Sequence, residues 1–282
     1  MAEGDFGHAE TFVRQHDRDR YLASLVLRGQ ERLDVLALDA FNADVAMIRE
    51  RVSEPGPGEI RLQWWNDALT GEGHGDVRSN PLAAALLDTM NRRSIPAGTL
   101  QRLLGARRFD LYDDPMPDLE SFEGYAGETN ATLLHLSAMI ANDGVFIESG
   151  DAAGHLGVAE AIIGHLRAFG FNASRGRLFL PLNVFNANGV EEAEIFAGVE
   201  SEGLTEAIGQ LLELAEDHLT KAASAIRHLP SQVRPTFARL PILKAQLAAL
   251  KDVGDGPYTM PPDLPDWQKI GRVVWWTWRG GR

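Results

Sequence analysis

The spacing of the apolar residues constrains this chain most. From residue 33 to 52, Val35, Leu38, Phe41, Val45, Ile48 and Val52 recur every three or four positions, which puts them on one face of a helix. The same step returns in Leu100, Leu103, Leu104 and Leu111, in Phe122, Tyr125, Thr129, Leu133, Leu136 and Ile140, and in Ile162, Ile163 and Leu166. Alternation with period two is nearly absent, and only residues 177–185, around Pro181, suit a short extended piece. An all-α bundle of about eight to ten helices with short loops is therefore expected. Phe41, Val45, Ile48, Leu133, Leu136 and Leu166 are its expected interior.

Punctuation residues divide the pattern. Ser53-Glu54-Pro55-Gly56-Pro57-Gly58 reads as a break between a long helix and a shorter one over residues 59–69 that carries Trp64-Trp65. Ser79-Asn80-Pro81 reads as a cap followed by a first-turn proline. Further helices are expected from Pro96 toward Asp114-Pro115, and over 122–142, 152–169, 202–229 and 232–250. No internal repeat or low-complexity linker divides the chain, so residues 1–262 read as one domain followed by a tryptophan-rich segment, 263–282.

Composition excludes several classes of function. A chain of 282 residues with a formal charge of −13 is unsuited to binding nucleic acid by neutralising phosphates. With no cysteine it has no disulfide scaffold, thiolate metal site or thiol catalysis. The first twenty residues lack an apolar stretch and carry acidic side chains, unlike a secretory signal or a transit peptide. No run approaches the ~18–20 apolar residues of a membrane-spanning helix. The expected location is cytoplasmic, at most peripheral on the inner face of a membrane.

The C-terminal segment differs in character. Four of the six tryptophans, Trp267, Trp275, Trp276 and Trp278, are interleaved with Lys269, Arg272 and Arg279. Such a helix either lies in a membrane interface, where indoles and cations are both favoured, or packs its indoles onto the domain.

Several motifs resemble the squalene/phytoene synthase family. They are Ala40-Phe41-Asn42-Ala43-Asp44-Val45-Ala46-Met47-Ile48-Arg49-Glu50, Arg61-Leu62-Gln63-Trp64-Trp65-Asn66-Asp67, Tyr125-Ala126-Gly127-Glu128-Thr129 and Arg175-Gly176-Arg177-Leu178-Phe179-Leu180-Pro181, in the family's order. The resemblance implies the isoprenoid-synthase fold, an all-α bundle around a deep apolar cavity. In active members two Asp-rich helical motifs face each other across the cavity mouth and hold Mg²⁺, which neutralises a departing diphosphate.

On that pattern the acidic positions of the first motif correspond to Ala46, Met47 and Glu50, and those of the second to Ala168 and Asn172. Only Glu50 is acidic, with Asp44 as a neighbouring helper, so no cofactor is expected. The variant motifs, including Gly58-Glu59-Ile60-Arg61-Leu62-Gln63-Trp64-Trp65 and Arg107-Arg108-Phe109-Asp110-Leu111, resemble the branch containing complex I assembly factors with eroded Asp motifs. That branch has the synthase fold and is associated with an inner membrane, and the expectation set beside it is a non-catalytic protein working with complex I subunits or assembly intermediates, its residual cavity a candidate site for a prenyl or other lipid chain. The alternative is an active head-to-head prenyl diphosphate transferase using Mg²⁺ on atypical ligands.

Other candidates carry two readings. Arg61, Arg107, Arg108, Arg167, Arg175 and Arg177, with Tyr125, either ring a phosphate-bearing ligand at the mouth or form ion pairs with the 40 acidic residues. Asp110, Asp113 and Asp114 read as a solvated helix end or a displaced metal site. His135, His155 and His165 lack the spacing of a zinc or di-iron motif.

Overall fold

The structure, a computed structural model, describes residues 2–73, 75–252 and 256–281. Among these it contains helices and no strand. In chain order they are α1 (Ala2–His16), α2 (Arg18–Ser24), α3 (Gly29–Ala46), α4 (Ile48–Arg51), α5 (Pro55–Thr70), α6 (Pro81–Arg93), α7 (Ala97–Arg107) and α8 (Leu119–Ala126). A π-helical turn, Gly127–Ala131, leads into α9 (Thr132–Ala141). Beyond it lie α10 (Gly150–Arg167), α11 (Phe169–Ala173), α12 (Leu182–Ala187), α13 (Glu192–Phe196), α14 (Glu202–Ile226), α15 (Leu240–Lys251) and α16 (Asp266–Trp278).

Local chemistry accounts for the helix boundaries. Asn80 caps α6 as expected, its side chain accepting from Leu82 N at 2.9 Å and Ala83 N at 3.3 Å, with Pro81 in the first turn. The expected break is present but shorter, residues 52–54 between α4 and α5, and the Pro-Gly-Pro-Gly stretch already forms the first turn of α5, which needs no intrahelical N–H from proline. The helix expected over 33–52 is interrupted at Met47, between the motif positions Ala46 and Glu50. Residues 177–185 form no strand, and α12 starts just after Pro181. The stretch 232–250 is divided at a 3₁₀ turn, Arg234–Phe237. Helix α1 was not anticipated, although its buried Phe6, Ala9 and Val13 keep the three-and-four step.

The apolar interior forms two clusters. One gathers Leu36, Phe41, Ile48, Trp65, Leu86, Leu100, Leu133 and Leu136 from α3 through α7 and one face of α9. The other gathers Phe122, Leu134, Ile162, Leu166, Leu211, Phe237, Val273 and Trp276 from α8, the opposite face of α9 and the helices beyond. All six residues expected inside are buried. Helix α9 joins the clusters, and the π turn packs closely on α10. A Cβ at Gly157 would lie 2.6 Å from the Ala131 nitrogen, so this approach requires glycine.

Helix α16 packs on α15 and α2. Its Val273 and Trp276 enter the second cluster, and Lys269, only 1% exposed, donates to Asp19 and Asp263 at 2.6 Å each. Arg18 pairs with Asp266 at its first turn.

Candidate functional site

Charged and polar side chains bridge the two halves of the bundle in three tiers. The outer tier occupies the motif positions. Arg175 Nη1 donates to Glu50 Oε2 at 2.7 Å and Arg177 Nη1 to Glu50 Oε1 at 3.0 Å. Arg177 Nε and Arg49 Nη2 both donate to Asp113 Oδ1, at 3.1 and 2.9 Å. The Arg49 hydrogen bond holds the Asp113 carboxyl below the usual carboxylate range, with partial burial opposing. A tight turn presents the two arginines: the Asn172 carbonyl accepts from Arg175 N and Arg177 N, and Gly176 takes the left-handed conformation with φ +66°. Arg175 also stacks on Phe171, 3.9 Å from the ring centroid.

This tier settles where the anticipated mouth residues lie. Ala46, Met47, Ala168 and Asn172 are half-buried and bring no carboxylate. Asp44 does not help Glu50, because it accepts from Trp65 Nε1 at 3.0 Å and pairs with Arg51 at 2.6 Å. Arg61 is exposed on α5 and has no ion-pair partner among the described residues, so it is not part of the cluster. Arg108 pairs with Glu59 and Arg167 with Asp263.

The fit of a Mg²⁺ cluster is decided by these donors. A hard cation needs several oxygen ligands, and the only motif carboxylate is shared between two guanidinium groups. Among the described residues no group of three or more His, Asp or Glu is placed to hold a metal ion. The residues present do not fit the family's metal cluster.

The middle tier centres on Arg107 and Tyr125. Arg107 Nη1 donates to Tyr125 Oη at 2.7 Å and to Asp110 Oδ2 at 3.1 Å, and Arg107 Nη2 donates to Asn42 Oδ1 at 3.2 Å. Tyr125 in turn donates to Asp110 Oδ1 at 2.7 Å. Asp110 is thus a largely buried partner of Arg107 and Tyr125 rather than part of a solvated helix end. Burial raises the Tyr125 pKa well above that of a free phenol, with Arg107 opposing. On α10, burial, with Arg107 adding to it, pushes the His165 imidazole down to about 4, and the ring stacks on Phe179 at 5.2 Å. It is neutral at physiological pH.

The inner tier is a buried ion network that sequence reasoning missed. Arg20, 5% exposed, donates to Asp39 Oδ1 at 3.1 Å and Glu160 Oε1 at 2.6 Å, and pairs with Asp17 at 3.2 Å. Arg239 reaches Glu160 at 3.3 Å and Asp17 at 3.4 Å. Burial disfavours the Arg20 charge, but the surrounding carboxylates outweigh it and its pKa is raised. Burial pushes Asp39 up to about 6, with Arg20 opposing. Beside this network a cavity of about 20 Å³ is lined by Ser24, Asp39, Ser137, Thr236 and the two arginines, room for one water molecule. The only signal for this tier was an acid in each of two otherwise apolar helical runs, Asp39 in α3 and Glu160 in α10.

The tryptophans of α16 divide between two faces. Trp267, Gly271, Val274, Trp275 and Trp278 recur at helical spacing on the outer face, where Trp278 is 82% exposed. Exposed Arg272 and Arg279 flank it, and Arg279 lies over the Trp275 ring at 4.6 Å. Trp276, anticipated with the others as a membrane contact, points inward instead, 6% exposed. No described helix is long and apolar enough to cross a membrane.

A two-sided helical bundle with motif positions on facing helices is the isoprenoid-synthase architecture. A dehydrosqualene synthase crystal structure superposes with a TM-score of 0.80 at 17% identity, covering 97% of this chain and 95% of that one. The chain belongs to the squalene/phytoene synthase family, whose profile matches residues 13–279. It is 28% identical to the complex I assembly factor 6 of Bos taurus over 89% of this chain and 75% of that protein. It is 23% identical to the 15-cis-phytoene synthase of Synechococcus elongatus over 66% of this chain and 64% of the synthase.

Proposed function

We propose that this chain is a non-catalytic family member that works as a membrane-associated assembly factor for respiratory complex I. Its similarity to complex I assembly factor 6 over most of its length supports the role. The observation that carries the non-catalytic reading is the double ion pair on Glu50, which takes up the one motif carboxylate. Diphosphate departure needs concentrated positive charge and an apolar, water-free cavity. Here the mouth charges are already neutralised by each other, and Arg20, Asp39 and Glu160 place a further set of charges between the two apolar clusters.

The membrane part of the reading rests on the outer face of α16. Indoles, one valine and two flanking arginines suit the interface of an anionic leaflet, and they counter the repulsion expected of a chain with net charge −13. The protein then sits peripherally on the inner membrane face.

Two measurements test the proposal. Deleting the gene should lower assembled complex I and membrane NADH oxidation, and both wild type and Glu50→Gln should restore them. Purified protein should convert neither farnesyl nor geranylgeranyl diphosphate with Mg²⁺ or Mn²⁺. Metal-dependent product formation that Glu50→Gln abolishes would overturn the reading in favour of a prenyltransferase.

A further inference from the structure

A cleft of about 480 Å³ lies on the outer side of the bundle, where the first turn of α7, the π turn with α9, and the first turn of α10 meet. It is separate from the three tiers, and its volume is within the range of ~300–1,000 Å³ typical of small-molecule sites. Pro96, Leu136, Met139 and Phe146 make most of its wall apolar, and Phe146 is 66% exposed. Its depth comes from absent side chains. A Cβ added at Gly127 or Gly154 would meet nothing within 4 Å.

The polar groups in this cleft are few and mostly donors. Arg102 brings a guanidinium whose ion-pair partner, Glu128, is 3.4 Å away. His135 Nδ1 lies 2.8 Å from Ser149 Oγ, which accounts for the absence of a side-chain cap on α10. With the serine hydroxyl donating, the imidazole keeps its proton on Nε2 as a donor. Burial lowers the His135 pKa, which favours the neutral ring, with Glu148 the opposing charge. Helix α7 also starts without a side-chain cap, at Pro96. Two helix N-termini without an N-cap side chain therefore border one apolar cleft, the Gly150 N–H of α10 reaching Glu148 Oε1 at 3.4 Å, and the dipole of each favours a negative charge there.

We infer that this cleft binds a single-chain amphiphile, its apolar chain along Leu136, Met139 and Phe146 and its carboxylate or phosphate head near Arg102. A lipid site, on this inference, is moved from the bundle interior of the family to its flank. The inference does not depend on the assembly-factor role.

Titration of the full chain with cis-parinaric acid tests it, using the methyl ester as the uncharged counterpart. The acid should bind saturably at one site. Gly154→Leu, which fills the cleft without a backbone clash and favours the helix, should weaken binding at least tenfold, and Phe146→Ala at least threefold, with circular dichroism and melting unchanged. Arg102→Gln should weaken the acid at least threefold and leave the ester unaffected. Displacement by oleate or by farnesyl monophosphate then distinguishes a carboxylate head from a phosphate head. Unaltered binding in Gly154→Leu would overturn the proposal. So would a wild-type chain that binds neither probe, which would assign the cleft to a protein segment instead.

Discussion

Replacing Arg20 by methionine tests whether the inner tier holds the two halves together. The guanidinium is almost fully buried and serves Asp39, Glu160 and Asp17 at once. Removing it leaves Arg239 to serve Asp17 and Glu160, and leaves Asp39 without its ion-pair partner, with only the more distant charge of Arg239. Breaking a buried pair from one side costs about 3–5 kcal/mol, a large part of the ~5–15 kcal/mol that a native protein has. With a urea dependence near ~3 kcal/mol per molar, the unfolding midpoint should fall by about 1–2 M. Tryptophan fluorescence and far-ultraviolet circular dichroism would track the transition. The combined variant Arg20→Met, Asp39→Leu, Glu160→Leu should recover most of the loss, because an apolar replacement removes the desolvation penalty together with the attraction. Arg239 keeps Asp17 in that variant. A midpoint shift below ~0.3 M for Arg20→Met, or a triple variant no more stable than the single one, would refute the argument that these groups form one buried unit.

The same geometry has other consequences. Because the folded pKa of Asp39 is raised to about 6 from its ordinary value of 3.8, the folded state binds more protons between these values. Its contribution is therefore full below about pH 4 and lost as pH rises through 6, and Asp39→Asn should remove that component from urea midpoints measured across pH 4–7. Trp267→Ala combined with Trp278→Ala should reduce co-sedimentation with anionic vesicles and leave melting unchanged, whereas Trp276→Ala should cost about 3–5 kcal/mol of stability, read by urea unfolding. Glu50→Gln should change stability by less than ~1 kcal/mol, since the Glu50 carboxylate is about half-exposed, and the same unfolding assay checks it. Gly157→Ala should destabilise by about 1–3 kcal/mol, because the added methyl meets the Ala131 backbone.

The three tiers have a common logic. In a synthase, charge at the mouth comes from bound metal and the interior is apolar. In this chain arginines take the positive role at the mouth, and further ion pairs lie between the apolar clusters. These side-chain cations are paired with carboxylates from distant helices, so they hold those helices together.

The helical class, the interior positions and the loss of the acidic motifs are all legible in the order of the amino acids. Each depends on local period or on residue identity, and the buried Phe41, Val45, Ile48, Leu133, Leu136 and Leu166 bear out the period. The break before Pro55 is legible, but that Pro55 to Gly58 belong to the first turn of α5 is not, because proline stops a helix only in its interior, and whether it lies at a start or in the middle depends on the residues C-terminal to it. Which charges are paired, and which tryptophan turns inward, became fixed only when the helices packed. Glu50 meets Arg175 across 125 residues, and Arg20 meets Glu160 across 140, so no spacing rule connects them. The tryptophan-rich helix could lie either way round from its composition. Lys269, held by Asp19 and Asp263, fixes its rotation and sends Trp276 into the core with Trp267, Trp275 and Trp278 outward. Period is a property of neighbours along the chain, whereas the cost of burying a charge depends on the partner that folding brings to it.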